Sequence, residues 1–139
     1  MKNAKIVVID GQGGRLGRMI VAGIRDAKLP GEVLAVGTNS IATANMLKAG
    51  ADAGATGENP VVVACRDADV IVGPVGILSA DALLGEVTPA MAAAIGRSAA
   101  TKLLLPVNLC ATRVVGVKDL SFSELVAAAV EELRGILQE

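Results

Sequence analysis

An unbroken apolar run at residues 6–9 passes through Asp10 into Gly11-Gln12-Gly13-Gly14 and then into a segment of helical periodicity. No other feature of this chain narrows its fold as much. A strand that is apolar at consecutive positions is covered on both faces, as the inner strands of parallel sheets are. Parallel strands must be joined by crossovers, and helices usually supply them. The pattern recurs downstream. Residues 5–10 read as the first strand. Gly13 or Gly14 opens a helix to about Lys28, with the stripe Leu16, Ile20 and Ile24, and Pro30-Gly31 ends it. Residues 32–37 are a second strand, Asn39 or Ser40 caps a helix through Lys48, and a short third strand is expected near 52–55. Asn59-Pro60 starts a short helix over 60–66, residues 69–73 are the fourth strand, and a helical turn is expected at 80–84. Thr88-Pro89 caps a helix to about Ser98. Residues 102–107 and 113–117 are the fifth and sixth strands. Ser121-Phe-Ser-Glu124 is a capping box for a last helix, with the stripe Leu125, Ala129, Leu133 and Ile136 or Leu137. This alternation predicts an α/β fold: a doubly wound, mostly parallel sheet of about six strands flanked by helices. The 139 residues suit a single domain.

Composition removes several functions. The chain has no His, no Tyr, no Trp and one Phe. Without His there is no Ser-His-Asp or Cys-His nucleophile pair and no imidazole metal ligand, and no metal site is expected. With a single aromatic residue, a base-stacking surface is excluded, and a net charge of −1 without charge blocks gives nucleic acid nothing to follow. The apolar stretch between Asp69 and Asp81 is too short for a bilayer, which needs about 20 residues, so no membrane partner is expected. The N-terminal Met-Lys-Asn-Ala-Lys does not read as a signal peptide. Cys65 and Cys110 lie far apart without CxxC spacing, as reduced thiols of a cytoplasmic protein would.

The glycine loop carries the strongest chemical signal. Asp10 precedes Gly11, Gln12, Gly13, Gly14, Arg15, Leu16 and Gly17 at a strand-to-helix junction, the context in which a dinucleotide fingerprint is meaningful. Gly11 suits a tight turn. Gly13 or Gly14 lets backbone amides approach a phosphate, which the free N–H groups and dipole of the helix start attract. Gly17 lets the helix pack close to the strand. Arg15 and Arg18 add positive charge that a purely structural turn does not require.

Gly11-Gln12-Gly13-Gly14-Arg15-Leu16-Gly17-Arg18 resembles the nucleotide loop of the dihydrodipicolinate reductases, Gly-x-Gly-Gly-Arg-Met-Gly-Arg. That likeness covers about ten residues and implies a site for the pyrophosphate of NAD or NADP. The chain has no room for that family's substrate-binding half and lacks its paired histidines. A resemblance across nearly the whole chain, carried by IDGQGG, GTNSIATANMLKAGADAGATGENP and ADVIVGPVGI, is to a short bacterial family of unknown function. It implies a Rossmann-like fold and no particular activity.

The loop departs from the commonest dinucleotide pattern in two respects. Its glycines are spaced Gly-x-Gly-x-x-x-Gly, one residue longer. The carboxylate expected at the end of strand two, about 20 residues on, is replaced by Thr38, Asn39 and Ser40. These neutral groups can meet ribose but offer no cation to a 2′-phosphate. Asp10 would repel a nearby phosphate by about 1 kcal/mol or more. It is available instead to cap the loop's amides, or to hold Mg²⁺ or a ligand hydroxyl. Ligands of doubly wound sheets sit beyond the carboxyl ends of the strands. That places Gly73, Pro74, Val75 and Gly76 after strand four, and Asn108 and Cys110 after strand five, beside the loop. Thr56-Gly57-Glu58-Asn59 is assigned to the same rim. Glu58, Asp81 and Glu86 are the loop carboxylates available for proton transfer.

The favoured reading is a small Rossmann-like binder of a phosphate-containing nucleotide or dinucleotide, of NAD(P) type, serving as a sensor or cofactor-binding module. The alternative is a homodimeric NAD(P)-dependent reductase or other small nucleotide-dependent enzyme. An S-adenosylmethionine-dependent transferase and a purely structural protein fit the residues less well. The abundance of Ala and Val on sparsely charged helices points to a homodimer.

Overall fold

The computed structural model describes residues 3–107 and 111–139. Five strands, β1 (Lys5–Asp10), β2 (Glu32–Gly37), β3 (Ala53–Thr56), β4 (Val70–Pro74) and β5 (Thr101–Leu105), form one sheet in the order β3-β2-β1-β4-β5. All four pairings are parallel. The crossovers are α1 (Arg15–Asp26), α2 (Ser40–Lys48), α3 (Glu58–Ala64) and α4 (Pro89–Arg97), and α5 (Phe122–Leu137) follows β5. The chain leaves β1 for β2 and β3 on one side and returns to β4 on the other. The order therefore reverses between β1 and β4.

Side chains alternate across the sheet, and each face has its own core. Ile6, Val8, Val33, Ala35, Val70 and Val72 pack on one face with Leu16, Ile20 and Ile24 of α1, Met46 of α2, and Val126, Val130 and Leu133 of α5. Val7, Ile9, Val36 and Ile71 pack on the other with Val61 of α3 and Met91 and Ile95 of α4. This two-sided burial explains the unbroken apolar run of β1, whose residues from Ile6 onward are all buried.

The helices start where their local signals lie. The Asn39 side chain accepts from Ala42 N–H, the Thr88 hydroxyl accepts from Met91 N–H with Pro89 at the first position, and Ser121 with Glu124 closes a reciprocal capping box. α3 begins at Glu58, two residues before the expected start, and so spans Asn59-Pro60.

Three expectations are corrected. The sheet has five strands, because residues 113–117 stay outside it. Among the described residues, 111–121 are exposed throughout, Val115 is 99% exposed, and Gly116 takes φ +87°, which interrupts extended backbone. No helical turn forms at 80–84, because Asp81, Leu83 and Leu84 are in the left-handed region. A 3₁₀ turn forms earlier instead, at Val75–Leu78. The buried stripe of α5 is Val126, Ala129, Val130, Leu133 and Leu137, so Leu125 and Ile136 sit at its margins. No helix among the described residues is long and apolar enough to cross a membrane.

Candidate functional site

The carboxyl ends of β1 and β2 lie side by side, with Asp10 in register with Gly37. The glycine loop and the segment after β2 therefore meet. Gly14 takes φ +72° as the N-cap of α1, and the Cβ of any other residue there would lie 2.6 Å from Ala42 Cα. Gly17 lies against Asp10 and Met46, where a Cβ would come within 2.8 Å of the Asp10 Cβ and 2.6 Å of the Met46 sulfur. Gly11 is covered by Thr38, Leu83 and Glu86. The Cβ position of Gly13, by contrast, meets nothing within 4 Å. Three of these four glycines are thus required by the protein's own packing. Gly13 is not.

Asp10 is 2% exposed. Its Oδ1 accepts from Gly11 N–H at 2.8 Å and its Oδ2 from Gly17 N–H at 2.7 Å. The carboxylate therefore clips the turn closed, and both its oxygens are engaged by backbone. Burial raises its pKa above the ordinary aspartate value, the two amides pull it down by less, and Glu86 adds a small upward push. Among the described residues, no group of three or more Cys, Asp or Glu is placed to hold a metal ion.

Sequence reasoning offered Glu86 only as an available loop carboxylate and did not assign it to the glycine loop, which it in fact contacts. Its Oε1 accepts from Gln12 N–H at 2.8 Å, Thr38 Oγ1–H at 2.6 Å and Asn39 Nδ2–H at 2.8 Å. Desolvation raises its pKa, but the bonds from Thr38, Gln12 and Asn39 together outweigh this and hold the carboxyl below the usual glutamate value. A carboxylate therefore does stand at the end of β2, supplied by the connection between β4 and α4. Asn39 also donates to Gln12 O at 2.8 Å, and Asn45 of α2 donates to Gly13 O at 2.8 Å, so α2 steadies the loop from one side. Gln12 itself is left-handed, at φ +50°.

The remaining predicted residues are distributed as follows. Ser40 is the exposed first residue of α2. Gly73, Pro74 and Gly76 are buried. A Cβ on Gly73 would strike Ile9 O and approach Ile77 at 3.0 Å, so that glycine lets β4 lie against β1 and leaves no open space. Val75 and Gly76 belong to the 3₁₀ turn. Arg15 places its guanidinium carbon 4.9 Å from the Phe122 ring centroid, a cation–π contact that gives it a packing role joining the starts of α1 and α5. Arg18 is exposed and borders a cavity of about 600 Å³ with Asn45 and Lys48 of α2. Thr56 reaches Thr43 at 2.7 Å between hydroxyls, and Glu58 accepts from Thr88 at 2.6 Å. Asn108 and Cys110 lie outside the described residues.

Three backbone donors of the loop are left over. Among the described residues, no acceptor is bonded to the amides of Gly13, Arg15 and Leu16, whereas Gly14 N–H reaches Gly11 O at 2.9 Å and Gly17 N–H reaches Asp10. These free donors open a 12-residue helix beside the point where the strand order reverses.

A five-stranded parallel sheet wrapped on both faces, with a glycine-rich first turn at the reversal point, defines a Rossmann-like α/β domain. The match to a family model runs over residues 5–138. The chain belongs to that family, described as a domain of unknown function, DUF3842. No curated protein and no solved structure matches it.

Proposed function

We propose that this protein binds a phosphate-containing nucleotide or dinucleotide, with NAD or NADP favoured, at the loop of residues 11–17, and serves as a sensor or cofactor-binding module. One observation carries the reading. The amides of Gly13, Arg15 and Leu16 have no acceptor among the described residues, and Gly13 faces open space where its own fold needs no glycine. Such donors at a helix start suit a phosphate. Thr38 and Asn39 stand beside the loop with groups suited to ribose hydroxyls.

The test is thermal stabilisation by NAD, NADP, ADP and ATP. A ligand at 100 times its Kd raises stability by about 2.7 kcal/mol. Gly13→Val abolishes the shift and leaves the melting temperature of the free protein within a few degrees, since nothing stands within 4 Å of the new Cβ. Absence of any shift, or a shift that survives Gly13→Val, refutes the reading.

A homodimeric, cytoplasmic form is part of the same proposal. What supports self-association is the abundance of Ala and Val on sparsely charged helices. Light scattering at the mass of one chain removes that part. The reductase alternative needs a proton donor beside the bound ligand, and the two carboxylates that touch the loop, Asp10 and Glu86, both accept hydrogen bonds there instead.

A further inference from the structure

The connection from Ser79 to Thr88 has no part in the nucleotide reading, yet three features tie it to the glycine loop. The first is the Glu86 carboxylate. It takes one N–H from the end of β1, at Gln12, and two side-chain donors from the end of β2, at Thr38 and Asn39. Ligand oxygens arriving between those strand ends would use the same donors. The second is Leu83, 3% exposed, which lies over Gly11 and covers the turn. The third is strain. Asp81, Leu83 and Leu84 sit at φ +67°, +55° and +56°, a left-handed conformation that is unfavourable for residues other than glycine. Leu84 is 97% exposed, so no packing of its own side chain offsets that cost. The closed shape is held from outside. Asp81 N–H reaches Val87 O at 2.7 Å, Ala82, Leu83 and Val87 are buried, and Glu86 grips the loop.

We infer that residues 79–88 are a strap closing the mouth of the glycine loop. In it, the Glu86 carboxylate occupies donors that a nucleotide's ribose or phosphate oxygens take when the strap swings out. The inference rests on the nucleotide reading above. Ribose oxygens and Glu86 compete for the same donors on Thr38 and Asn39, and a phosphate on the loop's free amides repels the carboxylate held beside it at Gln12 N–H. Binding and strap opening are therefore coupled, and the apparent affinity of the wild type is reduced by the fraction of molecules that are open.

The experiment has two parts. Titration calorimetry compares NAD, ADP and inorganic pyrophosphate on the wild type and on Glu86→Ala, with circular dichroism confirming that the variant is folded. If the strap is open in about a tenth of wild-type molecules, Glu86→Ala binds about tenfold more tightly. Hydrogen exchange of the wild type, which needs no substitution, shows amides 81–87 exchanging faster when pyrophosphate or NAD is bound. Equal or weaker binding by Glu86→Ala overturns the strap while leaving the nucleotide site standing; weaker binding makes Glu86 a ligand contact. Binding without faster exchange at 81–87 also overturns it. No binding by either folded protein removes the nucleotide reading, and the strap with it.

Discussion

Replacing Asp10 by Asn separates the clip from a ligand role with a change of one atom. The carboxylate accepts two buried amide protons, at 2.8 Å from Gly11 and 2.7 Å from Gly17. An asparagine keeps one acceptor and turns its NH₂ toward the other amide. That amide loses a bond to a charged acceptor, worth about 1.5–3 kcal/mol, and is left facing a second donor. Removing the burial penalty on the charge offsets part of this, since burial is the main influence on this carboxyl. The expected net loss is about 2 kcal/mol. At about 2.1 cal/mol/K per residue, 139 residues unfold with roughly 0.3 kcal/mol/K, so the melting temperature falls by about 7 °C. Scanning calorimetry at pH 7 reads this directly. The pH dependence adds a sign. A carboxyl whose pKa is raised on folding binds its proton more tightly in the folded state. Its stabilising contribution is complete below the ordinary aspartate range and is lost as pH rises through the raised folded value. The Asp10→Asn variant has no such titration, so the gap between it and the wild type is wider near pH 3 than at pH 7. A melting temperature unchanged within 1 °C refutes the clip. Unchanged stability with lost nucleotide affinity would instead make Asp10 a ligand contact.

Two further outcomes are expected. Gly14→Ala combines a left-handed backbone at φ +72° with a Cβ 2.6 Å from Ala42 Cα, so it costs about 2–4 kcal/mol, measurable by urea denaturation; a loss under 1 kcal/mol would contradict the close approach of α1 and α2. The Cys65 thiol is pushed up to about 11 by burial, with a smaller opposing pull from Lys102. In a Cys110→Ser background, Cys65 therefore reacts with a disulfide reagent at pH 8 only at the rate of unfolding, and rapid labelling of the native protein would show that it is accessible.

How much was legible depended on whether a feature is written locally. The capped starts at Asn39, Thr88 and Ser121 and the unbroken run of β1 were readable, because a cap joins residues three apart and a buried strand is apolar at each step. The Asp10 clip was half legible. Its bond to the adjacent Gly11 is local, but the bond to Gly17 needs the first turn of α1 in place. Residues 113–117 have strand-like composition, and the one local sign that they stay off the sheet, Gly116, is a residue that strands also tolerate. Arg15 looked like surplus charge because its partner, Phe122, belongs to the last helix.

The sequence by itself determined the parallel α/β class, the glycine turn at its first crossover and the absence of histidine and tyrosine chemistry. Those are properties of composition, periodicity and short spacings. Only the tertiary structure decided what fills the mouth of that turn. Glu86 reaches Gln12 across 74 positions of chain and Thr38 across 48. No periodicity or motif spans such a distance. The pairing exists because β4 lies beside β1, so that the connection leaving β4 passes over Gly11 and sets a carboxylate among three donors from other elements.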